Sequence, residues 1–311
     1  MLLRLIILSF FLNCMVFSQS DVAVYPNKPV VLDNENGGYM QQSSQCDNQA
    51  IYVPNWHEFI TNTPSNLLGV VTNSFSSDNL PAIGYISAMT MALVITDAKT
   101  HTAVKTFFKD TPSLKNYGKY TVIMGDGRVE FGIGGLFALY GLAFEDNLAL
   151  RTGLQCTEAI ISNGIMVQLL KRMTGRESPL TASSPSGTWR FFPNLKQYQK
   201  DQPKYYSFPS GHLSTAITTL TIISENYPES NFIKPIGYSL VGLLGVGLVS
   251  KDMHWFSDFP LAAALGYEVG KIITSRNNPM ELKQETSENI SFSFMPVFLT
   301  GGGGVNLLMS F

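Results

Sequence analysis

The sequence is poor in the residues that serve nucleic-acid binding, metal coordination and disulfide frameworks. Charged side chains make up 14% of its 311 residues, the net charge is −2, and no long run of lysine and arginine occurs. Nothing in this composition attracts a nucleic-acid backbone. The four histidines and three cysteines do not show the spacing of a metal site, so we expect no metal and no other cofactor. Without internal repeats or low-complexity tracts, the chain is long enough for one large domain with appendages.

Apolar runs of membrane-spanning length are also scarce, although hydrophobic residues make up 45% of the chain. A spanning helix needs about 20 apolar residues, and 79–96 and 235–250 come closest. Apolar stretches of helical length recur at 80–96, 129–144, 155–170, 212–224, 235–250 and 259–273. The sequence predicts an all-α bundle over 65–277 whose helices bury one another. Six membrane spans, or association with a membrane surface, are the alternatives.

The N-terminus predicts export. Arg4 precedes the apolar run 5–12, and Val16 and Ser18 supply compact residues for cleavage after Ser18, which is the order of a signal peptide. An uncleaved anchor helix is the alternative, whereas a lipoprotein site at Cys14 lacks the small residue expected before it. We therefore expect a signal peptide at 1–18 and a mature protein in the periplasm or at the outer membrane of a bacterial envelope.

Both ends of the mature chain differ in pattern from the helical region. Residues 19–64 are polar and predict an irregular extension, and 278–289 predict a linker. Residues 290–311 alternate between apolar and polar side chains around four glycines, which predicts a β-hairpin. Such a hairpin either packs on its own domain or resembles the closing strand of an outer-membrane barrel. Cys46 and Cys156 form either one disulfide or two isolated thiols.

Two short clusters pair helix ends with polar side chains. Lys171 to Pro179 follow an apolar helix and include a glycine typical of helix C-termini, so a capped helix with solvated cations is the simplest interpretation. Phe208 to His212 place a turn before an apolar run, where free N–H groups at a helix start favour an anion. Ser210 adds a hydroxyl donor and His212 a group that transfers protons near neutral pH. The alternative is a helix cap with an incidental histidine.

A third cluster contains His254 and Asp258, four residues apart on one predicted helix face. A carboxylate that accepts from one imidazole nitrogen leaves the other nitrogen nucleophilic, although a purely structural pair has the same spacing. His212 and His254 are two of only four histidines in the chain. Three such clusters in this order are less expected by chance than any one alone.

The order and spacing of these clusters resemble the type 2 phosphatidic acid phosphatase superfamily, whose helical fold is shared with bacterial acid phosphatases and vanadium haloperoxidases. The family signature is Lys-x6-Arg-Pro, then Pro-Ser-Gly-His, then Ser-Arg-x5-His-x3-Asp. The resemblance covers about 80–275. The matching positions are Lys171, Pro179, Pro209, Ser210, Gly211, His212, His254 and Asp258.

Two positions depart from the family signature. The arginines of its first and third parts fall on Ser178 and Leu248. In the family both arginines hold phosphate oxygens, and the loss of one positioned donor costs about 10²–10³ in rate at comparable oxyanion sites. Arg176, and after it Lys251, are the residues that we expect to replace the missing charge.

The resemblance implies a metal-independent phosphomonoesterase of the cell envelope that acts on a phosphorylated lipid or a small organic phosphate. It assigns His254 as the nucleophile that forms a phosphohistidine, Asp258 as the group that orients it, and His212 as the proton donor and base. The phosphoryl oxygens would be held by Lys171, Ser210 and Gly211, with Arg176 and Lys251 as substitutes.

Other functions remain compatible with the sequence. The missing arginines favour a non-catalytic member of the fold that binds a phosphate or a lipid. A vanadate-dependent oxidase on this fold would need both arginines and fits less well. The aromatic segment 189–206 would either admit a lipid phosphate or pack as a surface loop, and the oligomeric state stays open.

Overall fold

The computed structural model describes residues 53–276 and the backbone of two strands, β1 Ser291–Leu299 and β2 Gly302–Ser310. The α-helices of the described residues are α1 Glu58–Thr61, α2 Thr63–Ser74, α3 Leu80–Asp110, α4 Tyr117–Ile123, α5 Gly127–Phe144, α6 Asn147–Thr174, α7 Leu195–Lys200, α8 Gly211–Asn226, α9 Ile233–Ser250 and α10 Phe259–Arg276. Short 3-10 turns connect several of them, and the turn Phe256–Asp258 directly precedes α10. The described domain is all-α, as predicted.

Local sequence signals set the ends of the helices that form the site. The Asp146 side chain accepts from the backbone N–H groups of Leu148 and Ala149 and caps the start of α6. At the other end of α6, Gly175 adopts the left-handed conformation with φ 53° and closes the helix by donating to the Lys171 carbonyl. This closure holds the end of α6 against the segment that follows it.

Helices α8 and α10 lie side by side between two apolar clusters. A side chain at Gly266 of α10 would collide with the backbone carbonyl of Ser214 on α8, so glycine is required for this close approach. One cluster contains Val104, Leu213, Ile217, Leu220, Val241, Leu244, Leu248, Val249, Phe259 and Ala262. The other contains Val70, Cys156, Ala159, Met166, Val167, Ile222, Leu265, Val269 and Ile273. Helices α8 and α10 therefore contribute side chains to both apolar clusters of the bundle.

The outer faces of α3 and α5 are apolar and exposed. In α3 only Asp97, Thr100 and Val104 are buried, and seven large apolar side chains of α5 face outward. By length and composition, 77–110 and α9 could each cross a membrane, with mean hydropathies of 1.4 and 1.5. The expectation that the helices bury one another therefore holds only for the inner faces of α3 and α5, since their outer faces are exposed. It holds better for α6 and α8, which bury many of their side chains.

The helices cover every apolar stretch that the sequence singled out, but the helical region begins at Glu58 rather than near residue 65. Strands β1 and β2 pair in antiparallel register, with Ser291 opposite Ser310. That pairing lies in the segment for which a hairpin is predicted; its role as a separate domain stays a prediction. The predicted signal peptide, the linker 278–289 and Cys46 lie outside the described residues, so the Cys46–Cys156 pairing also stays a prediction.

Candidate active site

Lys171 lies at the end of α6 with its side chain buried. Its ammonium group is 4.9 Å from the centre of the Tyr206 ring, a cation–π contact. A Cβ atom at Gly211 would lie 3.8 Å from the same nitrogen, so the ammonium faces the start of α8. Burial lowers the pKa of Lys171 to about 8, although Asp258 opposes the shift. The lysine therefore remains mostly protonated near pH 7.

The start of α8 supplies backbone donors beside this cation. Ser210 caps the helix, since its hydroxyl accepts from the Leu213 N–H at 3.4 Å and its own N–H donates to the Asp258 carbonyl at 3.1 Å. The first turn of a helix leaves its N–H groups without intrahelical acceptors. Here those groups belong to Gly211 and His212. The partial positive charge of the helix start and the Lys171 ammonium therefore lie side by side, where both can bind an anion.

His254 is buried and its two ring nitrogens differ in environment. Nδ1 lies 3.3 Å from Oδ2 of Asp258, whereas Nε2 is buried without a hydrogen-bond partner among the described residues. Burial lowers the pKa of His254, the nearby Lys171 lowers it further, and Asp258 opposes both. A neutral imidazole with Nδ1–H held by a carboxylate presents a lone pair at Nε2, as a nucleophile requires.

The sequence suggested that His254 and Asp258 lie on one helix face, but the structure brings them together in another way. His254 precedes the 3-10 turn Phe256–Asp258, and Asp258 folds back to accept from the Trp255 N–H at 2.8 Å. Asp258 caps the turn, and this fold-back places its carboxylate beside His254.

His212 lies opposite His254, with 6.4 Å between the ring centres. Burial lowers the pKa of His212 to about 4, and the charges of His254 and Lys171 act in the same direction. Both histidines are therefore neutral in the empty site at pH 7. A bound phosphate dianion would raise the pKa of His212 because an adjacent negative charge favours the imidazolium.

Asp258 is buried and accepts from several donors. Besides the Trp255 N–H and His254, it accepts from Arg176 Nη1 at 2.6 Å and from the Ser207 hydroxyl at 2.6 Å. Burial alone would raise the pKa of Asp258, but the Arg176 guanidinium and these hydrogen bonds hold it below its usual value. The carboxylate is therefore ionised and fixed in position.

Arg176 does not occupy the place expected for a phosphate ligand. Its side chain is fully buried, and besides Asp258 its two terminal nitrogens donate to the Ser257 hydroxyl, to Asp97 at 2.7 Å and to the Ser186 carbonyl. The terminal N–H groups of Arg176 are therefore not available to a phosphate, because two carboxylates and two neutral acceptors already use them, and only its Nε–H is without a partner among the described residues.

Lys251 is likewise not brought to His254. It is exposed just after the end of α9, and its aliphatic stem lies against Gly118. The expectation depended on a helix that continued to His254, whereas α9 ends at Ser250. The positions of the family arginines hold neutral buried residues: the Ser178 hydroxyl has no hydrogen-bond partner among the described residues, and Leu248 belongs to the apolar core.

The aromatic segment 189–206 is partly packed and partly exposed. Trp189 stacks under the Arg176 guanidinium at 4.7 Å, and Tyr206 faces both Lys171 and His254. Phe191 and Phe192, in contrast, are 67% and 73% exposed. The segment therefore forms one wall of the site and also presents apolar side chains to the surroundings.

Sequence reasoning missed Asp97 of α3 and Ser207, both of which are fully buried next to Asp258 or Arg176. Asp97 had a recognisable signal, since a lone carboxylate inside an apolar helix must find a buried partner. Within the described residues, no group of three or more histidine, cysteine, aspartate or glutamate side chains could hold a metal ion.

Comparison with known proteins agrees with the motif analysis. Residues 152–278 match the model of the PAP2 superfamily. A 67-residue stretch is 33% identical to a lipid A 1-phosphatase of Porphyromonas gingivalis and covers 21% of this chain and 15% of that protein. No solved structure matches the chain significantly. The resemblance to the type 2 phosphatidic acid phosphatases is thereby confirmed, and the chain carries a PAP2 superfamily domain at residues 152–278.

Proposed function

We propose that the protein is a phosphatase of the cell envelope that hydrolyses the phosphate monoester of a lipid through a phosphohistidine on His254. The observation that carries this proposal is the state of the His254 ring. Nδ1 is held by a fixed carboxylate, and Nε2 is buried without a partner among the described residues. The Lys171 ammonium and the start of α8 supply positive charge beside it.

The reaction has two displacements. The lone pair of His254 Nε2 attacks phosphorus, the bond from phosphorus to the ester oxygen breaks, and the leaving alkoxide takes a proton from the His212 imidazolium. In the second step neutral His212 accepts a proton from water as the water oxygen attacks phosphorus. The N–P bond then breaks, its electrons return to Nε2, and inorganic phosphate leaves. Asp258 stabilises the positive ring of the intermediate.

The low pKa of His212 fits this cycle. At a pKa of about 4, His212 is unprotonated in the empty site and cannot act as an acid there. A phosphate dianion between the two rings raises the pKa of His212, so the ring gains its proton when substrate binds. After the alcohol leaves, His212 is neutral and ready to act as a base.

A lipid substrate is favoured by the surface around the domain. The exposed apolar faces of α3 and α5 suit a bilayer. One matching relative is named a lipid A 1-phosphatase, which makes lipid A 1-phosphate a natural first substrate to test.

The test is phosphate release by the purified full chain. A phosphorylated lipid in mixed micelles is compared with a soluble phosphomonoester, using His254→Ala as the inactive variant. His57→Ala is the matched control, because His57 is exposed at the start of α1. Turnover of the lipid that depends on His254 but not on His57 supports the proposal. Equal turnover by His254→Ala contradicts the nucleophile, and preference for the soluble ester contradicts the lipid.

We further propose that the protein works outside the cytoplasm. The predicted signal peptide at 1–18 supports export, and the apolar faces of α3 and α5 support contact with an envelope membrane. Fractionation of cells followed by protease treatment of intact spheroplasts tests this placement. Protection of the chain from external protease until the inner membrane is lysed would place it in the cytoplasm instead.

A second candidate is a non-catalytic protein that binds phosphorylated lipid. It is favoured by the neutral residues at Ser178 and Leu248 and by the full use of the terminal Arg176 donors. The same assay separates the candidates. Saturable binding of the lipid phosphate, with no turnover above the His254→Ala background on any phosphate tried, identifies the binding protein.

A further inference from the structure

The two terminal nitrogens of Arg176 are occupied by protein partners, whereas its Nε is buried without a hydrogen-bond partner among the described residues. Its terminal nitrogens donate to Asp258, Asp97, Ser257 and the Ser186 carbonyl, all within 2.8 Å. The guanidinium also lies 4.7 Å from the ring centre of Trp189 and 5.6 Å from that of Trp255. A side chain held by four hydrogen bonds and two rings has a single geometry, which is the requirement for orienting a neighbour.

Asp97 comes from a helix outside the family match. It lies on α3, whereas the match begins at residue 152, and it is one of only three buried residues of that helix. Its Oδ2 accepts from Arg176 and from the Ser257 hydroxyl, and its Oδ1 accepts from the Ser257 N–H at 3.2 Å. Burial raises the pKa of Asp97, and the Ser257 hydroxyl and the Arg176 guanidinium oppose this rise; both oxygens act as acceptors, as expected of an ionised carboxylate.

A continuous chain of contacts therefore leads from α3 to the proposed nucleophile. Asp97 binds Arg176 and Ser257, Arg176 binds Asp258, and Asp258 faces Nδ1 of His254. We propose that Asp97 and Arg176 are positioning residues that set the orientation of Asp258 and, through it, the tautomer and basicity of His254. As an account of catalysis, this inference rests on the proposed function.

The pairing of Arg176 with two carboxylates has a chemical consequence. If Asp258 were its only anionic partner, the guanidinium would neutralise the carboxylate that must stabilise a positive His254 ring. Asp97 shares the charge of Arg176, so Asp258 keeps more of its own negative charge for the imidazole. Partners behind a metal-ligating histidine act in this way on its orientation and basicity, and the same electrostatics apply to His254. Helix α3 therefore completes the site although it carries none of the family motifs.

The kinetic test compares substitutions of two aspartates, Asp97 and Asp252, each of which forms hydrogen bonds between α3 and the segment after α9. Asp97→Asn keeps the shape of the side chain but removes its charge. The matched control is Asp252→Asn, because Asp252 pairs with His101 and Lys105 of α3 and does not contact the site. We expect Asp97→Asn to lower kcat about 10- to 100-fold with KM little changed, the loss typical of an orienting partner. Asp252→Asn should retain wild-type kcat.

Variants at two further positions, Ser257 and Arg176, separate a loss of orientation from general damage to the fold. Ser257→Ala removes the hydroxyl between Asp97 and Arg176 without leaving an unpaired charge. Because the hydroxyl accepts from Arg176 and donates to Asp97, its removal should lower kcat by at least the roughly 2- to 10-fold that one hydrogen bond is worth. Arg176→Lys should recover part of the activity lost in Arg176→Gln, because it restores the charge without the fork. A rise in KM with unchanged kcat in Asp97→Asn would overturn the proposal and indicate a phosphate contact instead.

A readout without turnover keeps this inference separate from the proposed function. The chain has four histidines, so nitrogen-15 labelling resolves their ring signals, and His254→Gln assigns the signal of His254. We expect the Nδ1–H signal of His254 to shift in Asp97→Asn and to stay unchanged in Asp252→Asn. An unchanged His254 signal in Asp97→Asn would overturn the inference even if the enzyme is active. A shifted signal in a protein that hydrolyses no phosphate would support the coupling and refute only the proposed function.

Discussion

The low pKa of Lys171 predicts an alkaline limit to substrate capture. Burial brings the pKa of this side chain from 10.5 to about 8 in the empty site. Phosphate needs the ammonium form, because Lys171 is the charged donor that the structure places beside Gly211 and His254. Above pH 8 the free protein therefore loses the cation that the substrate requires. This loss should lower kcat/KM by a further factor of about ten for each pH unit, in addition to the fall caused by the proton that His212 must take up.

The size of the effect follows from the same pKa. The difference between 10.5 and about 8 corresponds to about 3 kcal/mol of unfavourable free energy for holding the charge in the empty pocket. A bound phosphate dianion offsets this cost and raises the pKa of Lys171 again. The alkaline limb should therefore be steep in kcat/KM and shifted to higher pH in kcat, since the second reports the enzyme–substrate complex.

Unfolding at high pH would not explain the loss of activity above pH 8. The folded protein holds the lower pKa, so between pH 8 and 10.5 the unfolded chain binds more protons and this group increases the free energy of unfolding as pH rises. Activity and the contribution of Lys171 to stability should therefore change in opposite directions. Thermal melting at each pH provides the check.

The assay is a pH profile of phosphate release for wild type and Lys171→Arg. It runs from about pH 6 to about pH 10, a range that spans the ordinary pKa values of histidine and lysine. Arginine stays protonated throughout, so the variant should lose the limb near pH 8 even if its rate is lower. An alkaline limb near pH 8 that persists in Lys171→Arg would refute the assignment to Lys171. A wild-type profile that is flat to pH 10 would refute the lowered pKa.

Three further predictions concern the nucleophile, the core and export. His254→Ala should abolish phosphatase activity while the bundle stays folded by circular dichroism; turnover equal to wild type would end its covalent role. Gly266→Val should reduce the free energy of unfolding by about 1–3 kcal/mol in denaturant titrations, because its side chain meets the Ser214 carbonyl, and unchanged stability would show that α8 and α10 can separate. The mature chain should begin near Gln19 by N-terminal sequencing, and finding Met1 there would contradict cleavage.

The part of the site that the sequence predicted is the part built from local structure. Gly175 ends α6 and caps it at Lys171, Ser210 caps α8 three residues before Leu213, and Asp258 folds back on the turn after His254. Each relation spans only a few residues, so a motif records both the side chain and the geometry that presents it. This is why the positions of these groups could be inferred without a structure.

The relations that sequence reasoning missed span long distances along the chain. Arg176 and Asp97 are 79 residues apart, and Ser207 and Asp258 are 51 apart. A basic residue two positions before a missing arginine suggested a substitute phosphate ligand, but it could not reveal that a carboxylate from α3 competes for the guanidinium. For α3 and α5 the sequence left burial and membrane contact as alternatives, because apolar composition predicts burial in protein and contact with lipid equally well.

The charge around the phosphate position explains why these corrections matter for function. A phosphate carries nearly two negative charges, and the site offers the Lys171 ammonium and a helix start worth roughly half a charge. Arg176 adds no free positive charge, because its guanidinium is matched by Asp97 and Asp258. His212 adds a second positive charge when it gains its proton on substrate binding, and a third appears only when His254 becomes a phosphohistidine during the reaction. Stabilisation that arises during the reaction rather than in the bound ground state favours turnover over tight binding, and this supports the catalytic function over the binding function despite the two missing arginines.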